Sequence, residues 1–188
     1  YDAWIMEEDC RLSERIINEY RGLNLSQPPR LTWVSSAEQA LTILDEQTFD
    51  MVITMPWLSD MGAPRMAKKM KRRAPDLPVI LLSHDPIPSP DGGAPDHAPG
   101  IDRTFVWSGN TDILVALIKS TEDRLNVEAD TASTGIRIIL FVEDSPYYLS
   151  SLLPILYREL VGQTQSVLEG TLNEEHRLLT MRARPKIL

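Results

Sequence analysis

Residues 49–62 read FDMVITMPWLSDMG, an apolar run that leads into a turn. The run itself, residues 50–55, lacks polar alternation, which is typical of a strand buried on both faces of a sheet. Residues 77–83, LPVILLS, repeat this pattern, and residues 103–107, RTFVW, supply another short strand. Strands of this kind occur in parallel sheets covered by helices on both faces. The stretch therefore predicts an α/β fold.

Helical segments alternate with these strands. Apolar residues recur at helical spacing in residues 10–25, 37–47, 62–74 and 110–125. Residues 30–35, RLTWVS, are predicted as a strand, and Ser36 is placed to cap the helix that follows. The alternation predicts a doubly wound parallel sheet of five strands over residues 1–126.

The sequence leaves the position of the first strand open. Residues 4–6 could form it, with the acidic residues 7–9 directly after it. Alternatively, those acids form the first turn of a helix, where carboxylates interact favourably with the positive end of the helix dipole. The first strand would then lie before Tyr1, or residues 136–142, IRIILFV, would take its place in the sheet.

A second unit is predicted after a polar linker at residues 127–136. Residues 137–142 restart the strand pattern, and Ser145 is placed to cap a long helix interrupted by Pro154. The last four residues, PKIL, are predicted to begin another strand. Residues 137–188 thus predict a strand, a helical arm and a strand start, which form an incomplete second unit.

Composition restricts the function classes. The hydrophobic fraction of 43% indicates a packed core, and the net charge of -8 argues against a general nucleic-acid binder. The single cysteine fits a reducing cytoplasm. No apolar run approaches the roughly 20 residues that span a bilayer. The chain starts at Tyr1 without a methionine, so we expect it to be a fragment of a longer protein.

The order of elements and the stretch at residues 49–62 resemble the receiver (CheY-like) domain of response regulators, which has a flavodoxin-like fold. The resemblance implies an acidic pair that binds Mg²⁺ after the first strand and an acceptor aspartate after the third. It also implies a hydroxyl side chain ending the fourth strand and a lysine ending the fifth. The metal neutralises phosphate, the carboxylate attacks it, and the hydroxyl and ammonium groups bind its oxygens.

This sequence departs from that pattern. Met55 occupies the acceptor position, Ser83 matches the hydroxyl position, and Trp107 and Ser108 stand where the lysine is expected. Asp60 lies in the following loop and is interpreted as a turn former rather than a displaced acceptor. The resemblance therefore implies a degenerate receiver without catalytic residues and without a cofactor of its own.

In the second unit, Glu143 and Asp144 match the acidic pair and are weak candidates for Mg²⁺ ligands. The alternative is that this acidic turn caps the helix. An acceptor aspartate of this unit would lie beyond Leu188.

A wider resemblance covers nearly the whole chain. Residues 19–41, 105–131, 142–160 and 172–188 are similar to the N-terminal tandem receiver-like region of bacterial PEP/pyruvate-binding (phosphoenolpyruvate synthase-like) proteins. The leading hypothesis is a non-catalytic regulatory module that docks to a protein partner or to other domains of its own polypeptide. The alternative is a regulatory fragment of a phosphotransferase of the PEP synthase or pyruvate phosphate dikinase type, or of a receiver/histidine-kinase protein.

The sequence also predicts an assembly. Residues 146–182 contain more apolar positions than one helix of such a unit needs, namely Leu152, Leu153, Leu156, Leu160, Leu178 and Leu179. Exposed stripes of this size usually find a partner, so a homodimer through this arm is predicted. The basic run at residues 68–73 is interpreted as a solvated face or a docking patch.

Overall fold

The structure is a computed structural model, and it describes residues 14, 17, 18, 20, 29–84, 98–134, 136–168 and 184–188. Residues 4–6, one of the positions predicted for the first strand, lie outside the described residues. So do the acidic residues 7–9 that follow them. The same is true of Leu178 and Leu179.

Two compact units make up the chain. The first, called here the sheet unit, comprises Thr32–Gly109 and Glu143–Ser150. The second, called the helix unit, comprises Tyr1–Leu31, Asn110–Val142 and Ser151–Leu188. This division differs from the predicted boundaries, because residues 110–126 group with the C-terminal part of the chain.

The sheet unit alternates strands and helices, as predicted. Its elements are α1 (Ala37–Glu46), β1 (Val52–Thr54), α2 (Ala63–Arg73), β2 (Val79–Ser83) and β3 (Arg103–Val106). The described strands pair in the order β1-β2-β3, and both pairs are parallel. Of the five strands predicted for the first sheet, three are present in the described residues.

The core of the sheet unit lies between helices α1 and α2 and strand β2. Strand β2 is buried along its whole length, which confirms the interpretation of its unbroken apolar run. Side chains spaced three or four residues apart on α2 form its inner face. The buried cluster contains Ala37, Leu41, Ala63, Met66, Ala67, Met70, Val79, Leu81 and Ile101.

The strand predicted at residues 30–35 is absent, and that prediction is wrong. Residues 30–34 have no regular secondary structure, and Leu31 and Trp33 are exposed. A strand needs a neighbour for its backbone groups, and in the described residues none pairs with this segment.

The helix unit contains α3 (Asp112–Thr134) and most of α4 (Pro146–Leu168), whose first five residues belong to the sheet unit. The segment predicted as a linker, residues 127–136, is mostly the end of α3, and Asp130 in it pairs with Lys186. Ile113, Leu114, Leu117 and Ile118 are buried, as the periodicity predicts. Leu125, also predicted to face inward, is 53% exposed.

Strands β4 (Ile138–Ile139) and β5 (Lys186–Ile187) form a separate parallel pair. The strand start predicted at the C-terminus is therefore present. Among the described residues, β4 pairs with β5 and not with the first sheet, so the prediction that residues 136–142 take the place of the first strand is not met there. Backbone hydrogen bonds continue the pairing to Phe141, whose N–H donates to the carbonyl of Leu188 at 2.9 Å.

Helix α4 begins at Pro146, as predicted, and continues through Pro154. Its inner face is formed by Leu153, Tyr157 and Val161, at intervals of four residues, and all three are buried. Leu153, which the predicted dimer would bury, is already buried within the chain. In the part of the chain that the structure describes, no helix has the length and apolar character to cross a membrane.

Candidate functional site

The carboxyl ends of β1, β2 and β3 meet at one edge of the sheet, where ligands bind in open parallel sheets. Met55 follows β1, Ser83 ends β2, and Trp107 follows β3. Ser83 pairs with Val106 in the sheet register, and the Trp107 N–H donates to the Ser83 carbonyl at 2.6 Å. The structure thus brings three of the sequence-predicted positions to one edge.

Met55 gives this edge an apolar thioether where a nucleophile is expected. Its side chain is half-buried, and the hydroxyl of Thr54 donates to its carbonyl at 3.2 Å. A thioether carries no charge and accepts hydrogen bonds only weakly. Met55 therefore cannot form an acyl phosphate.

Of the other two positions, Ser83 keeps the expected hydroxyl, whereas the lysine position lacks the expected charge. Ser83 is buried, with 2% of its surface exposed, and Trp107 is half-buried. Ser108 is exposed. Neither Trp107 nor Ser108 can neutralise a phosphate oxygen as an ammonium group does.

Asp60 is the carboxylate of the loop after Met55, and it is engaged elsewhere. Its two oxygens accept the backbone N–H groups of Ala37 at 3.0 Å and Glu38 at 2.9 Å, in the first turn of α1. The hydrogen bond from Ala37 is the main cause that lowers the pKa of Asp60; burial opposes it, and the bond from Glu38 adds to the lowering. Asp60 thus supplements Ser36, whose hydroxyl accepts the N–H of Gln39. Its geometry is that of a helix cap.

Glu143 and Asp144 come directly before α4. A side-chain oxygen of Glu143 accepts the N–H of Ser145 at 2.9 Å, within the turn that precedes the helix. Over the described ranges, no group of three or more His, Cys, Asp or Glu side chains is arranged to hold a metal ion. Mg²⁺ usually binds through one or two carboxylates and keeps several waters, so Glu143 and Asp144 would supply part of a coordination sphere.

Ser150 makes a contact that the sequence does not indicate. Its hydroxyl accepts the backbone N–H of Val106 at 2.7 Å, and it donates to the carbonyl of Pro146 at 2.5 Å. Val106 ends β3, an outer strand of the described sheet, so Ser150 satisfies an edge N–H that no strand binds. No local sequence signal marks this serine, because its partner is 44 residues away.

A buried ion cluster lies in the helix unit. Asp123 on α3 is completely buried and accepts two hydrogen bonds from the Arg184 guanidinium, at 2.6 and 2.9 Å. The hydroxyl of Tyr157 and the N–H of Ile187 also donate to Asp123, at 2.9 and 3.0 Å. Every carboxylate oxygen is therefore satisfied, as burial of a charge requires.

Lys186 completes this cluster. Its ammonium lies 3.6 Å from Asp123 and 2.7 Å from Asp130, two turns further along α3. Two cations thus balance two carboxylates. The sequence shows these residues, but their sequence separation of about 60 positions hides the pairing.

Tyr20 belongs to the same unit and has 1% of its surface exposed. Lys119 sits over its ring at 5.1 Å from the centroid. Burial chiefly raises the pKa of Tyr20, the charge of Glu122 raises it further, and Arg184 opposes the shift. Its hydroxyl has no hydrogen-bond partner among the described residues.

No protein-family model and no curated protein matches the chain. Among solved structures, the signal receiver domain of an HD domain-containing protein from Pseudomonas fluorescens Pf-5 is 22% identical with a TM-score of 0.48. The match covers 62% of this chain and 85% of that one. The BeF3-activated DrrB receiver domain is 20% identical, with a TM-score of 0.46 and coverages of 62% and 92%.

A two-component response regulator from Clostridium difficile is 17% identical, with a TM-score of 0.46, and the match covers 61% of this chain and 93% of that one. With TM-scores below 0.5, these similarities do not establish the family or the function of the chain.

Proposed function

We propose that this chain is a degenerate receiver module of the response-regulator type, which regulates without accepting a phosphoryl group. The observation that carries the proposal is Met55 at the carboxyl edge of the parallel sheet, between β1 and the loop of Asp60. The module acts in the cytoplasm by docking to a protein partner or to other domains of its own polypeptide. The three-stranded parallel sheet and the placement of Ser83 support the receiver interpretation.

Incubation with acetyl phosphate and Mg²⁺, followed by intact-mass measurement, tests the proposal. We expect no phosphoryl adduct on the chain, because Met55 cannot accept one and Asp60 is bound to the start of α1. A receiver with an intact acceptor aspartate, treated in parallel, serves as the positive control. An adduct mapped by peptide sequencing to Met55–Asp60, or to any residue of the sheet unit, would refute the proposal.

Four stretches of the sequence resemble PEP synthase-like proteins. They support the alternative that this module is the N-terminal regulatory region of a phosphotransferase. The chain itself would then bind neither ATP nor PEP. Titration calorimetry with each compound tests this point. Measurable binding to this chain would favour an enzymatic role over a docking role.

A second receiver-like unit beginning at residue 137 is part of the proposal. The parallel pairing of β4 and β5 around helix α4 supports it, because this is a strand–helix–strand unit. Glu143 and Asp144 would contribute to a Mg²⁺ site only together with further oxygen ligands. We expect no Mg²⁺-dependent change in melting temperature for this chain.

The proposed homodimer through residues 146–182 rests on the outer face of α4. Leu152 and Ile155 are 42% and 59% exposed, while Leu153 on the opposite face is buried within the chain. Light scattering after size exclusion should show a dimer that Leu152→Ser with Ile155→Ser converts to a monomer. Because both side chains are exposed, the substitutions leave the internal packing of α4 intact. A wild-type monomer at micromolar concentration would refute the dimer.

A further inference from the structure

Helix α2 presents an outer face rich in positive charge. It carries six cations and no acidic residue, and ion pairs with described residues neutralise two of the cations: Lys71 pairs with Asp102 at 2.7 Å, and Arg73 with Asp45 at 2.9 Å. In the described part of the chain, the remaining four make no ion pair. We call these four the basic stripe: Arg65, Lys68, Lys69 and Arg72.

The basic stripe is unfavourable for the helix that carries it. Its members are three or four residues apart, so they are neighbours on the surface and repel one another. Arg65 also lies in the first turn, where a cation opposes the helix dipole, and Gly62 provides no side-chain cap. The buried face of α2 holds the helix in place despite this repulsion. An anionic group bound along the stripe would relieve it.

An exposed tryptophan stands at the N-terminal end of the stripe. Trp57 is 82% exposed, although it forms a backbone bridge with Gly62, the residue before α2. The N–H of Ala63 donates to the carbonyl of Pro56 at 3.0 Å, so the loop that carries Trp57 is fixed against the start of the helix. A large aromatic side chain on a fixed backbone loses little entropy on binding and is a frequent anchor of interfaces.

We propose that the basic stripe and Trp57 form a docking site for an acidic protein segment that carries an apolar residue. The acidic side chains would lie along α2, and the apolar residue would pack on the indole. The net charge of -8 favours this partner, because a nucleic acid or an anionic membrane is repelled by the rest of the surface, whereas a short segment meets only the stripe. The inference rests on the proposed docking function and names its surface.

Fluorescence anisotropy with a labelled synthetic peptide of alternating glutamate and leucine tests the site on the full chain. We expect saturable binding that weakens about tenfold for Lys68→Gln with Arg72→Gln, and about tenfold for Trp57→Ala. The matched control is Arg124→Gln with Arg137→Gln, which removes the same charge from exposed positions outside the stripe and should leave the affinity unchanged. Circular dichroism checks that every variant is folded.

Further binding measurements distinguish an acidic protein segment from other ligands of the stripe. A peptide with glutamine in place of glutamate should bind at least tenfold more weakly, and added salt should weaken the glutamate peptide because exposed charges are screened. Absence of peptide binding, equal losses in the stripe and control variants, or stronger binding to phosphatidylserine vesicles or duplex DNA than to the peptide would overturn the proposal. None of these outcomes involves a phosphoryl adduct, so failure here is distinguishable from failure of the proposed function.

Discussion

Arg184 binds both carboxylate oxygens of Asp123, and the two side chains are 5% and 0% exposed. Arg184 precedes β5, whereas Asp123 lies in the middle of α3. A planar guanidinium matches a carboxylate with two parallel hydrogen bonds, which is why arginine suits a buried pair. The pair therefore fixes the end of the described chain to a helix about 60 residues earlier.

Removal of one member should destabilise the helix unit strongly. Arg184→Met leaves Asp123 buried without its main cation, and we expect a loss of about 3–5 kcal/mol in the free energy of unfolding. Urea denaturation measures it. Asp123→Leu combined with Arg184→Met should lose less than the sum of the single losses, because no unpaired charge stays buried. Additive losses would show that the pair is not coupled.

Gly100 should tolerate no side chain. Its φ is +88°, and a Cβ there would lie 2.8 Å from backbone atoms of Ala67 and Lys68. Gly109 is the matched control, since its φ is +86° but no atom lies within 4 Å of the added Cβ. We expect Gly109→Ala to lower the free energy of unfolding by about 1 kcal/mol and Gly100→Ala by at least about 2 kcal/mol. Equal effects would contradict the close approach.

Ser150 should stabilise the outer edge of the described sheet. Ser150→Ala removes the acceptor of the Val106 N–H, and we expect a loss of about 1 kcal/mol, measured by thermal denaturation. Amide exchange of Val106 should also accelerate. Ser150→Thr keeps the hydroxyl and should retain most of the protection. Unchanged exchange in the alanine variant would mean that the hydrogen bond does not protect this edge.

Acid should weaken the cap of α1 through Asp60. Because the folded-state pKa of Asp60 is lowered, its contribution is complete above the ordinary aspartate pKa of about 3.9 and is lost as the pH falls through the lower folded value. Asp60→Asn lacks this titration. The wild-type advantage in melting temperature over the variant should be constant from neutral pH to about 5 and shrink below about 4. A constant difference down to pH 3 would contradict the cap.

The sequence predicts best those elements whose burial follows from local pattern. Strand β2 and helix α2 are confirmed almost residue by residue, because an unbroken apolar run and a four-residue spacing of Met66 and Met70 each indicate one geometry. Trp33 shows the limit of this reasoning. A strand also needs a neighbour, and residues 30–35 have none among the described residues.

Features that depend on distant partners could not be predicted. The end of α3 looks like a linker because residues 127–134 are mostly small or polar. The cations that bind Asp123 and Asp130 of this helix, Arg184 and Lys186, come much later in the chain. At the candidate site, the identities of Met55 and Ser83 are visible in the sequence. The engagement of Asp60 with α1 is not visible, since its partners lie more than 20 residues away.

The Asp123–Arg184 pair also limits how this chain can be divided by recombination. A gene fusion that joined a new sequence after residue 126 would look harmless, since it follows the apparent module boundary. It would cut α3 and transfer Asp123 into a product without Arg184 or Lys186, leaving a buried anion without cations. The segment from the start of α3 to β5 therefore has to be inherited as one piece. Recombination between related genes should keep its two ends together.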